Sequence, residues 1–98
     1  MPGQYNKLPL RERLTIAERL TRELAEHVEQ GFLPKIENLR RVTRQKESVA
    51  SEVTDKTVRD TAARVRQSEE FTAELCAKIQ DCVDSIVSEV DAMVNGEE

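Results

Sequence analysis

The stretch FTAELCAKIQDCVDSIVSEVDAMV, residues 71–94, decides the fold. Within it Leu75, Ile79, Cys82, Ile86, Val90 and Met93 recur at steps of three and four, the period of one helix face. Val83, Val87 and Val94 widen the stripe on one side. A two-stranded coiled coil needs only a narrow seam, so a stripe this wide asks for more than one neighbouring helix. No Gly or Pro interrupts it, and Asn95-Gly96 supplies a stop signal. The stretch predicts the central helix of a bundle, and no residue on it has the character of a catalytic group.

Towards the N-terminus, Val58, Ala62 and Val65 carry the stripe back to a turn expected within residues 49–57. Thr54, Asp55 and Thr57 are good capping residues there, and Thr57 with Asp60 makes a weak capping box. Ser68 before Glu69-Glu70 is a second cap candidate, so the sequence also accommodates a break at that point. Ahead of the turn, Ile36, Leu39 and Val42 keep helical spacing, and then the stripe thins.

The first arm opens at Pro9, whose missing N–H costs nothing at a helix start. Leu10, Leu14, Ala17, Leu20, Leu24 and Val28 form its stripe, broadened by Ile16. Arg11, Arg13, Arg19 and Arg22 alternate with Glu12, Glu18, Glu23, Glu26 and Glu29 as on a solvated surface. Gly31 and Pro34 then interrupt the pattern. The sequence fits two helices separated there, or one helix kinked at Pro34. Phe32 and Leu33 are too apolar for an open loop.

The predicted organisation is a flexible lead-in over residues 1–8, one helical domain over 9–95, and a tail at 96–98. Helices are expected over about 9–30, 34–50 and 55–94, the first two either separate or one kinked helix. A fold-back near Ser51 would set Leu10 against Met93, Ala17 against Ile86, Leu24 against Ile79, Val28 against Leu75 and Phe32 against Phe71. The fold class is therefore all-α, a helical hairpin or a short three- or four-helix bundle with coiled-coil character. Oligomerisation would complete it, because a short chain with few large side chains gains little from burying its surface alone.

Bulk properties agree. With 98 residues the chain is one domain at most, and 35% charged with 3% aromatic residues suits exposed helices better than a sheet sandwich. Hydrophobic residues at 38% are too periodic for a disordered chain. No apolar run approaches the roughly 20 residues of a membrane span, and MPGQYNKLPLRER holds no apolar signal region. A cytoplasmic protein is expected, with the nucleus as the second location; two cysteines fit a reducing compartment.

Charge is segregated. Residues 35–66 carry nine basic and five acidic side chains, whereas residues 67–98 carry one basic and nine acidic. Arg40, Arg41, Arg44, Arg59 and Arg66 form a candidate polyanion site, for nucleic acid or acidic headgroups. Interleaved carboxylates and the lack of a stacking aromatic weigh against it. The acidic last helix suggests head-to-tail assembly or docking on a charged partner.

Other chemistries find little purchase. Cys76 and Cys82, six residues apart, diverge by about 120° on a helix and cannot share a metal ion. Cys82 reads as a small core residue and Cys76 as a flanking one. His27 at the stripe edge has no second His and no nucleophile motif to serve. The three glycines stand alone and make no phosphate loop. No enzyme activity, cofactor, metal or small-molecule substrate is expected. The expected function is protein–protein interaction: a small adaptor or scaffold subunit assembling with itself or with other helical chains. Its expected interface is Leu24, Val28, Phe32, Phe71, Leu75, Ile79, Ile86 and Val90. Polyanion binding, or a small acidic chaperone covering a partner's apolar segment, are the alternatives.

Overall fold

The computed structural model describes residues 5–48 and 50–96, and every regular element among them is helical. Helix α1 spans Leu10–His27, helix α2 Leu33–Glu47 and helix α3 Asp55–Gly96, with a π-helical turn at Val28–Phe32 joining the first two. The expected turn at residues 49–57 is realised as a connection ending at Thr54; Val49 lies outside the described residues.

The π-turn resolves the Gly31-Pro34 question physically. A proline inside a helix collides with the carbonyl four residues back and lacks an N–H. Here the backbone stays helical on both sides, and the Leu33 N–H donates to Val28 O five residues back. One widened turn just ahead of Pro34 relieves the collision without ending the helix. Helix α3 is capped by Thr54, whose Oγ1 accepts from the Thr57 N–H at 3.2 Å. Ser68 makes no break: α3 runs through it, and its side chain is buried.

The chain divides into two compact units: residues up to Leu24 with those from Glu74 onward, and Ala25–Ala73. In the first unit, Tyr5, Leu20 and Cys82 form the buried core, with Leu8, Ile16, Ala17, Ile79 and Ile86 packed against it. Two expectations change here. Residues 5–8 are not a loose lead-in: Leu8 N–H closes a turn onto Tyr5 O at 3.1 Å, and Tyr5 is 7% exposed. Residues 1–4 and 97–98 of the expected lead-in and tail lie outside the described residues. The α1 stripe is also rotated. Leu14 is 51% exposed while Arg13 is 2% exposed, so the buried face steps through Leu10, Arg13, Ala17 and Leu20.

In the second unit the fully buried residues among those described are Val42, Thr61 and Ser68, with Val28, Phe32, Ile36, Leu39, Val58 and Val65 half-buried. Lys35 Nζ donates to Ser68 Oγ at 3.0 Å, and Lys46 pairs with Asp55 at 3.2 Å. Thr61 Oγ1 donates to Thr57 O at 2.7 Å, within α3.

Candidate functional site

Helix α3 offers two different faces in the first unit. Its inner face carries Leu75, Cys82 and Ser85, all buried, with Ile79 and Ile86 half-buried among them. The three valines that widen the stripe in the sequence remain uncovered, and so do Val90 and Met93 of the stripe itself. Val83, Val87, Val90 and Val94 are 39%, 51%, 41% and 60% exposed, and Met93 is 54% exposed. The four valines step by four, three and four, the spacing of a helix seam. At about 100° per residue they occupy an arc of some 60°. Cys76 and Gln80, both exposed, extend the same line towards the N-terminus. On the side away from Ile79 and Ile86 the strip is edged by Asp91 and Asp84, about 40° and 60° beyond Val87. Both are exposed, and neither is ion-paired among the described residues.

Arg13 builds a polar cluster in the same unit. Its Nη1 donates to Ser85 Oγ at 2.9 Å and to Ser85 O at 3.2 Å, and its Nη2 pairs with Glu89. Ser85 Oγ in turn donates to Asn6 Oδ1 at 2.7 Å. Cys82 Sγ donates to Arg13 O at 3.3 Å. Arg13 Nε is buried without a partner. Asn6, Arg13, Ser85, Ser88 and Glu89 line a shallow depression of about 250 Å³. The Glu89 carboxylate is engaged by the guanidinium there, and the Ser85 hydroxyl is held between Arg13 and Asn6. The cluster ties the start of the chain and α1 to α3 through Arg13, Asn6, Ser85 and Glu89. Burial pushes the Cys82 thiol above its ordinary value, and the Arg13 charge draws it part of the way back. Sequence reading places Arg13 on the solvated side; its one signal is a position seven residues before Leu20, on the same helix face.

In the second unit His27 is the centre of an aromatic group. Its ring stacks on Phe32 with centroids 6.4 Å apart and meets Phe71 edge-on at 4.7 Å. Phe32 and Phe71, aligned by the fold-back reading, are thus both partners of His27. Nε2 lies 2.8 Å from Thr72 Oγ1 and 3.3 Å from Ser68 O. Gly31 leaves room for the ring: a Cβ there would stand 3.3 Å from His27 Nδ1.

The expected interface residues divide by environment. Leu75 is buried, Leu24, Val28, Phe32, Ile79 and Ile86 are half-buried, and Phe71 and Val90 are exposed. Of the expected basic group, Arg40, Arg41, Arg44, Arg59 and Arg66 are all exposed. Arg66 is engaged by Glu69 at 3.2 Å and Arg41 by Asn38. Cys82 is fully buried and Cys76 is a free, exposed thiol. No group of His, Cys, Asp and Glu among the described residues could hold a metal ion, and no described helix is long and apolar enough to cross a membrane. The chain matches no known protein family, no curated protein and no solved structure.

Proposed function

We propose that this chain is a non-enzymatic helical interaction module, a small adaptor or scaffold subunit whose α3 receives another helix in coiled-coil fashion. One observation carries the reading: Val83, Val87, Val90 and Val94 form a seam-spaced apolar strip that is left in water beside a satisfied inner face. Exposed apolar side chains scattered singly need no explanation, but a continuous strip marks a docking surface. The seam spacing supports a helix as the occupant, because knobs from a partner helix fit holes repeating every three and four residues. An assembly of this kind would also complete the bundle that the wide stripe asks for.

The double variant Val87→Asp, Val90→Asp tests the reading. Both side chains are already about half in water, so helix content and melting temperature should barely change. Association should be lost, whether with a second copy by light scattering or with a helical peptide bearing an apolar seam by calorimetry. Unfolding of the variant would show the valines to be core, and unchanged association would remove α3 as the interface.

A further inference from the structure

Building on the docking role of the valine strip, we infer that its occupant is a cationic amphipathic helix of a different chain, with lysine or arginine along the edge facing Asp84 and Asp91. The inference follows from what borders the strip. Edge positions of a helix seam choose the partner and its orientation through charge. Here one edge continues into the apolar inner face through Ile79 and Ile86, and the other is Asp84 and Asp91. The surrounding chain strengthens the sign: residues 67–98 hold nine acidic side chains and one basic, Lys78. An apolar strip with an acidic border is complementary to an apolar seam with a basic border.

A second copy of this chain is a poor occupant. Laid antiparallel, it sets the aspartates of one α3 against those of the other. Laid parallel, it sets them over Ile79 and Ile86, where a carboxylate is desolvated without a partner. Helix α2 cannot supply the missing helix either. Val42 is buried and Ile36 and Leu39 half-buried, so α2, which carries Arg40, Arg41, Arg44 and Lys46, shows no exposed seam of its own.

The test uses the full chain and three helical peptides of about three heptads, long enough to cover the strip from Cys76 to Val94. Two have a leucine seam, one flanked by lysines and one by glutamates; the third keeps the lysines but has alanines in the seam. Affinities are measured by calorimetry at low and moderate salt. Occupancy is read independently from alkylation of Cys76, which lies on the strip, whereas buried Cys82 stays unmodified.

The lysine-flanked leucine peptide should bind at least about tenfold more tightly than the glutamate-flanked one, and should slow Cys76 alkylation. Asp84→Lys, Asp91→Lys should reverse that preference. The alanine-seam peptide should leave Cys76 unprotected. Equal binding of the two leucine peptides would overturn the cationic partner while leaving the docking face intact. Binding of the alanine-seam peptide as tightly as the lysine-flanked leucine one would reduce the effect to general charge attraction and overturn the inference. A stable dimer that buries Cys76 would replace the foreign helix with a second copy. No binding by any peptide to a monomeric chain would overturn the docking role itself.

Discussion

Arg13 carries its charge into the first unit's interior, and that placement sets an asymmetry between the two ends of its ion pair. The Arg13 side chain is 3% exposed and that of Glu89 is 38% exposed. Removing one partner of a buried pair is costly because the other is left as an uncompensated charge. Glu89→Ala strands the buried guanidinium with only Ser85 and should cost about 1–3 kcal/mol. Arg13→Met strands a carboxylate that water can still reach, beside a Ser85 Oγ that keeps its bond to Asn6, and should cost less than Glu89→Ala. Urea midpoints at unchanged slope distinguish the two; equal losses would contradict the burial assigned to Arg13. Cys82 gives a pH test at the same scale. Its pKa in the fold is raised above the ordinary value of 9.0 by burial, so folding favours the protonated thiol. That contribution is complete below the ordinary value and is lost as pH rises through the higher folded one. Stability should therefore fall more steeply in alkali for the native chain than for Cys82→Ala. Parallel curves would contradict it. The sequence shows Cys82 on the stripe but not Arg13, because residue type alone assigns arginine to water, whereas its guanidinium finds Ser85 and Glu89 across the core.

Among the elements, α3 was legible in the sequence to within a few residues, since its apolar period persists without Gly or Pro. What periodicity could not say is how much of the stripe is covered. Ile86 packs on the core and Val87 stands 51% exposed, although they are adjacent and both apolar. Ile86→Asp should therefore unfold the first unit, while Val87→Asp should leave the melting temperature within a few degrees; matching outcomes would contradict the two-faced helix. The π-turn was not legible. Gly31 and Pro34 signal an interruption, but residue type alone does not say that one widened turn carries the helix through it, with the His27 ring beside Gly31. Gly31→Ala should gain up to about 1 kcal/mol of helix propensity in a His27→Ala background. With His27 present the new methyl meets the ring, and the gain should be smaller by about 0.5 kcal/mol or more. Additive effects in a double-mutant cycle would show that the ring and the turn are independent.

For the molecule as a whole, the all-helical class and the charge segregation were legible in composition and pattern. The division into two units was not, because it rests on what is buried rather than on what repeats. The first unit has an apolar core around Leu20 and Cys82, while the second buries Thr61 and Ser68 alongside Val42. Burial of apolar area is the main stabilising term in folding, at roughly 25 cal/mol per Å², so the second unit should open more readily. Amide hydrogen exchange should be faster at positions 58–68 of α3 than at positions 75–86. Uniform protection along α3 would contradict it. The valine strip of α3 is proposed as a docking face and not as unused surface. Its most direct test is the affinity of a leucine-seam, lysine-flanked helical peptide for the native chain and for Val87→Asp, Val90→Asp, measured side by side. The native chain should bind and the variant should lose at least about tenfold in affinity, with an unchanged helix signal; equal affinity for both would rule the docking face out.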